Sequence, residues 1–464
     1  MLVLNMLIKP LAVFGIDAEV QNRVGAENYG TYFALLNFTF LFNIILDAGI
    51  NNFTTKSVAQ HPNAAMRYLG KLIGFRFLLF ITYTIITVGI ALTLGRTKHE
   101  LFLLCFLIMN QFLITLIAYA RSHFGGLLMF KTDAFISVLD RFLLILFCGS
   151  VLYFNTTDTT FKIEWYIWIQ SICYSISFLV AAILLIRKIG IPTISFRPIF
   201  AYAIIKQSLP YALLILLMMI YTRTDSVMVE LLHQTGKEQA GIYAQGFRIL
   251  DALFMFAMIF SGLLFPIFSK LIAEKLTVNP LLQTSGKLLI GGAISIAVLT
   301  YFHSEMILGW IYDNHVSEST LPFQLLMFSF IGMCSTLVFG TLLTANGSLR
   351  FLNISSFIGI IINLSLNLFL IPTHGASGAA IATVITQGLI SIIQITYCLR
   401  LFQMSIKPII VIQFMLYITI IVSLNYFFIA TSVMNFILLA FLQFISMLAL
   451  RLIDIRGLKK AFKT

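Results

Sequence analysis

The chain has 464 residues, 59% of them hydrophobic and only 10% charged, with a mean hydropathy of +0.98 and a formal net charge of +12. Soluble domains carry about 25% charged residues, so functions that need a water-soluble body are excluded and lipid is the solvent. The positive surplus gives little support to a nucleic-acid partner, because its distribution follows membrane topology and contact with anionic headgroups.

A helix needs about 20 mostly apolar residues to cross a bilayer. Segments of that length fall at 1–20, 31–50, 69–95, 101–120, 134–154, 164–187 and 207–231. The series continues at 239–270, 286–312, 320–344, 351–372, 374–399, 408–430 and 432–450. Continuously apolar runs such as Leu101–Ile108 and Leu213–Ile220 lack the alternation of membrane β-strands. The expectation is an all-α, polytopic membrane protein of about 14 transmembrane helices. The first span carries Lys9, Pro10 and Asp17 and reads as short, as though the helix began upstream of Met1. Its apolar residues follow no basic stretch, which argues against a removed signal peptide.

Lys and Arg gather in loops that stay cytoplasmic. Of the 30 basic residues, fifteen lie in joints after even-numbered spans, from Lys56 to Lys407, and five in the tail, Arg451, Arg456, Lys459, Lys460 and Lys463. Joints after odd-numbered spans hold five: Arg23, Arg96, Lys98, Lys162 and Lys237. Both termini are therefore expected in the cytoplasm. The five cysteines, Cys105, Cys148, Cys173, Cys334 and Cys398, sit in or beside apolar spans without CxxC spacing and read as free thiols. No histidine pair has metal-ligand spacing, so neither a metal nor a cofactor is expected.

Two segments repeat. Gly25-Ala-Glu27-Asn-Tyr-Gly30-Thr-Tyr32 and Gly236-Lys-Glu238-Gln-Ala-Gly241-Ile-Tyr243 share Gly-x-Glu-x-x-Gly-x-Tyr at an offset of 211, each just before the second span of a six-span set. An even number of spans separates the copies, so both halves run the same way across the membrane, a parallel repeat. The expected organisation is an N-terminal lobe over 1–198, a C-terminal lobe over 199–402, and an appended hairpin with a basic tail over 403–464. Two lobes that enclose a cavity and rock around it make a transporter.

Three stretches resemble a known family: Val24 to Gln60 with Leu46-Asp47-Ala-Gly49 and Asn51-Asn52; Ser208-Leu-Pro210-Tyr through Tyr221-Thr-Arg-Thr-Asp225-Ser; and Gly375-Ala-Ser-Gly378-Ala-Ala380-Ile-Ala382-Thr. They are similar to bacterial polysaccharide exporters of the O-antigen flippase type, relatives of multidrug and toxin extrusion proteins. The resemblance implies a multi-pass protein of the bacterial inner membrane. It would move an undecaprenyl-pyrophosphate-linked oligosaccharide between leaflets, with membrane lipids around it and polysaccharide polymerase and glycosyltransferases as partners.

A charged side chain at mid-membrane costs about 2.5–3.5 kcal/mol on insertion scales, so each needs a cavity, a partner or an interface. The intramembrane cations are Lys9, Arg76, Arg141, Arg223 and Arg248, the candidates for binding pyrophosphate. Asp225, Asp251 and Asp47 are candidates for orienting them or coupling to an ion. Plainer readings stand beside these: Arg76 and Arg141 snorkel to headgroups, Arg248 pairs with Asp251 at i+3, and Asp47 and Asp140 serve structural pairs. Arg223 and Asp225, two residues apart, cannot face each other on one helix.

Pro210, Pro266, Pro322 and Pro372 read as helix starts or stops, and Pro10 as a kink. Trp165, Tyr166, Trp168, Trp310 and Tyr312 read as interfacial anchors. The stretch Asn52 to Arg67 reads as an inner-surface helix or loop, and the last two spans as a hairpin that lines a lipid-tail groove or packs outside. A cation extruder would want an acid-rich cavity, whereas here basic groups balance or outnumber acids. A membrane polymerase or acyltransferase would want a sizeable outer loop or a partnered intramembrane histidine; His303, alone well inside a span, has no obvious partner in the sequence. The chain is therefore not expected to be an enzyme.

Overall fold

The computed structural model describes residues 8–47, 49–60, 65–154, 161–191, 198–405, 407–428 and 432–453. Residues 1–7 of the first expected span, the loop cation Arg197 and the tail cations Arg456, Lys459, Lys460 and Lys463 lie outside these, as do the side chains of Lys56, Arg67 and Lys71.

The described residues form helices and contain no strand. A π-helical turn, Ala12–Asp17, leads into α1, Ala18–Leu41. Then follow α2 (Ile44–Asp47), α3 (Ile50–Gln60), α4 (Ala65–Thr93), α5 (Lys98–Gly126), α6 (Phe130–Phe154), α7 (Ile163–Ile189) and α8 (Pro198–Leu232). The rest are α9 (Gly236–Ala273), α10 (Asn279–Gly309), α11 (Val316–Ala345), α12 (Leu349–Leu401), α13 (Pro408–Phe427) and α14 (Val433–Ala449). Ten of these helices are long and apolar enough to cross a membrane, and α14 is a shorter apolar helix.

Glycine accounts for the places where two expected spans share one helix. Gly25 (φ 81°) interrupts α1 and Gly375 (φ 51°, ψ −127°) interrupts the 53-residue α12, backbone conformations that a Cβ disfavours. The two expected spans 351–372 and 374–399 are the halves of α12. Start and stop chemistry is explicit elsewhere. Thr97 and Glu100 form a reciprocal capping box that opens α5, Gly190 (φ 87°) ends α7, and Pro408 stands in the first turn of α13. Pro210, Pro266 and Pro322 lie inside helices rather than at their ends, a correction to the expectation, whereas Pro372 stands just before the Gly375 break, at the end of the first half of α12. In lipid, neighbouring groups re-satisfy the backbone that an internal proline frees.

The chain packs as two units, residues 1–241 and 242–464. The repeat places its division between 198 and 199; packing instead joins α8 to the first unit, where it lies along α1. In the first unit a core of Ile50, Leu69, Leu72, Phe75, Leu113, Ile117, Phe124 and Ile136 ties α3 to α4, α5 and α6. Of the stretch expected at the inner surface, residues 52–60 are helical within α3 and 61–64 lie outside the described residues; Ile50, Thr54, Ser57 and Val58 of α3 are buried, and Val58 fills the space where Gly126 of α5 has no side chain.

Within the second unit α13 and α14 pack on α10. Tyr417, Ile421 and Met447 meet Ile294 and Val298, Met447 sits over Gly291, Ser295 hydrogen-bonds Tyr417, and Lys287 donates to Gln413 at 2.8 Å. Large apolar side chains such as Phe77, Leu78, Ile81 and Ile85 on α4 and Ile409, Ile412, Met415 and Leu416 on α13 stand exposed. Such a surface suits acyl chains, which are as apolar as the side chains they meet.

The repeated motif meets itself. A Cβ on Gly30 would strike the Lys237 carbonyl and the Gly241 amide, and one on Gly241 would strike the Ala26 carbonyl. Ala26 and Lys237, like Gly30 and Gly241, are equivalent positions at the offset of 211, so the two copies cross backbone to backbone at matching glycines. The motif tyrosines also match. Tyr32 is buried against Gln170 of α7 and Tyr243 against Thr383 of α12, the sixth span of each set.

Candidate functional site

Three polar clusters occupy the apolar interior of the first unit. The first surrounds Asp17, whose carboxylate, 5% exposed, accepts hydrogen bonds from the Tyr29 and Tyr166 hydroxyls at 2.8 and 2.7 Å. Gln170 donates to the Tyr32 hydroxyl at 3.0 Å beside it. Tyr166 is therefore turned inward, as is Tyr312 of the second unit, whose hydroxyl donates to the Gln245 carbonyl at 3.4 Å. The anchoring role expected of these two is corrected; Trp168 and Trp310 remain exposed. Asp17 carries a π-turn, a geometry frequent at functional sites. From the sequence it reads only as an interruption of the first span.

The second cluster is built on Arg76, 1% exposed. Its Nη2 donates to Asn51 Oδ1 at 2.6 Å and Asp47 Oδ1 at 3.2 Å. Its Nη1 reaches the Leu46 and Thr115 carbonyls at 3.4 and 3.5 Å, and the guanidinium lies 4.3 Å from the centre of the Tyr119 ring. The chain between Leu41 and Ile50 is broken into the short α2, with Gly49 at φ 81°. Arg76 supplies donors to this break. At 1% exposure it does not snorkel, and Asp47 serves as its partner.

The third cluster lies towards the basic end. Arg121, Arg141 and Asp140 lie within electrostatic reach of the Lys9 ammonium. Arg121 pairs with Asp133 at 2.7 Å and Arg141 with Asp140 at 3.6 Å. The group holds three cations and two carboxylates, the carboxylates paired with Arg121 and Arg141, and Lys9 and Arg141 are both only partly buried. Tyr174, Tyr166 and Tyr32 lie within electrostatic reach of Arg141. An excess of positive charge with accessible donors attracts an anion.

Arg223 and Asp225 lie on α8. Arg223 Nη1 donates to Asn37 Oδ1 of α1 at 3.3 Å, and its guanidinium lies 5.4 Å from the centre of the Phe40 ring. Asp225 is 1% exposed. Arg248 and Asp251 belong to the second unit, half-buried and one turn apart on α9. Within the first unit, then, Lys9 is brought to Arg141, and Arg76 to Asp47. His303 hydrogen-bonds the Leu299 carbonyl at 3.0 Å through Nδ1, a local partner that the sequence did not reveal.

A bundle of apolar helices with internal cations defines a class, the polytopic membrane proteins with a transporter fold. The lipid II flippase MurJ in an inward closed conformation superposes with a TM-score of 0.71 at 15% identity, covering 99% of this chain and 100% of that one. An inward-facing multidrug resistance MATE family transporter of the MOP superfamily superposes with a TM-score of 0.68 at 14% identity, covering 86% and 94%. A MOP superfamily transporter from Pyrococcus furiosus, described as having a binding pocket of reversed polarity, gives 0.56 at 13% identity, covering 86% and 95%. No curated protein matches the sequence significantly. The chain belongs to the polysaccharide biosynthesis protein family, whose model matches residues 1–272.

Proposed function

We propose that this protein carries an undecaprenyl-pyrophosphate-linked oligosaccharide, such as an O-antigen repeat unit, from the inner to the outer leaflet of the bacterial inner membrane by alternating access. It is a carrier rather than an enzyme, its termini are cytoplasmic, and glycosyltransferases and a polymerase supply and consume its cargo. The observation that carries the reading is the partly accessible cation excess around Lys9 and Arg141 in a unit otherwise built for lipid. A pyrophosphate headgroup brings about two negative charges into a layer that does not solvate them, and fixed cations lower that barrier. Arg223 on α8 and Arg248 on α9 are the further candidates for the pyrophosphate, each within its own unit, and Asp225 and Asp251 orient them or titrate during the cycle. An inside-negative potential itself favours outward movement of an anion by about 2.3 kcal/mol per charge per 100 mV, so ion coupling is not required.

The test is export of polysaccharide in cells that depend on this chain. Replacing Arg223 and Arg248 together by Gln should abolish export at unchanged protein level; retained export removes them from the path. A multidrug extruder of the same fold would instead transport organic cations, and the cation excess at Lys9 disfavours it.

A further inference from the structure

At the sparsely basic end of the first unit, four charged groups from three places meet. Gly95 (φ 71°) ends α4 and turns Arg96 inward, where its side chain is 4% exposed. Arg96 Nη2 lies 2.6 Å from Oε2 of Glu230, which closes α8 and is itself 2% exposed. Glu100 serves twice, accepting from the Thr97 amide at 3.0 Å in the capping box and meeting Lys237 Nζ at 2.9 Å. Arg96 Nη1 stands 3.9 Å from the same carboxylate. Lys237 is in the first turn of α9, and its own carbonyl is one of the two backbone groups of that helix that Gly30 of α1 approaches. Read from the sequence, Arg96 and Lys237 are loop charges that set topology.

We propose that Arg96, Glu230, Glu100 and Lys237 form a reversible ionic latch, holding the end of α8 and the first turn of α9 against the α4–α5 turn and opening once in each transport cycle. The proposal rests on the alternating-access reading above.

Three observations favour a latch over a permanent staple. The central pair is incompletely satisfied: among the described residues Arg96 Nε and Glu230 Oε1 have no hydrogen-bond partner, although the two side chains touch. A buried pair with unmet donors and acceptors is a poor source of static stability, and both groups gain by hydration in a second, open state. Lys237 is 44% exposed, so water reaches the quartet from this end. The neighbouring contact is backbone on backbone at Gly30 and Gly241, so the helices part there without unhooking interdigitated side chains.

The reporter is Ser226→Cys, four residues before Glu230 on α8, at a position 2% exposed in this conformation. A membrane-impermeant maleimide is added from the sparsely basic face to the full-length protein in liposomes, without cargo. Arg96→Glu should raise the labelling rate about tenfold or more by shifting the population to the open state. The exchanged pair Arg96→Glu with Glu230→Arg should bring the rate back near that of the parent. Unchanged labelling in monodisperse Arg96→Glu protein, or no return in the exchanged pair, overturns the latch. Where Arg96→Glu does not fold, the near-isosteric Glu230→Gln is read the same way, and its labelling at the parental rate is equally fatal. Oligosaccharide-lipid flipping by the unmodified chain is measured beside it. Its absence with the labelling pattern intact counts against the cargo assignment and leaves the latch standing.

Discussion

Arg76 separates a structural cation from a cargo-binding one. Replacing it with Met keeps the length of the stem and removes the donors that reach Asn51, Asp47 and the Leu46 and Thr115 carbonyls, together with the face-on contact to Tyr119. Breaking one partner of a buried pair costs about 3–5 kcal/mol. Asp47 retains 28% side-chain exposure and rehydrates in part, so the low end, about 3 kcal/mol, applies. At roughly 2 °C per kcal/mol for a large chain this lowers the melting midpoint by about 6 °C. Adding Asp47→Asn removes the abandoned charge and should recover part of the loss, because the two groups share one network. Thermal unfolding of purified protein in detergent gives both numbers. If Arg76→Met melts within about 1 °C of the parent while export disappears, the guanidinium acts on cargo and the structural assignment is wrong.

Two other substitutions follow from the same packing. Gly30→Ala and Gly241→Ala each drive a methyl into backbone that cannot rotate away and should cost about 1–3 kcal/mol, while Gly262→Ala, whose Cβ meets nothing within 4 Å, should be close to neutral in the same melt. Asp17→Asn removes the charge that the Tyr29 and Tyr166 hydroxyls address and should cost about 1–3 kcal/mol, with Tyr166→Phe as the partner variant; equal melting of all three proteins contradicts the buried network.

The helices were legible because a bilayer imposes one length and one composition on every crossing, and the run of spans from 69 onward corresponds to α4 through α14. The glycine motif was legible as a repeat, but not that its copies touch, since nothing in a local sequence states a contact 211 residues away. The direction of individual side chains was least legible. In lipid a helix has no obligatory polar face to mark its inside, so Tyr166 and Trp168, two residues apart, looked alike although one binds Asp17 and the other is exposed. Arg96 and Arg76 were visible as charges; their partners Glu230 and Asn51 lie on other helices and left no trace in spacing. In sequence the internal prolines look like helix ends because soluble helices tolerate them only there, a rule that membrane packing relaxes.

The most direct measurement of the central claim uses purified protein in liposomes with a fluorescent undecaprenyl-pyrophosphate oligosaccharide confined to one leaflet. The account predicts protein-dependent appearance of the sugar on the opposite leaflet, slowed when Lys9 and Arg141 are both replaced by Gln. Transfer no faster than in protein-free liposomes, or transfer indifferent to those two cations, contradicts it.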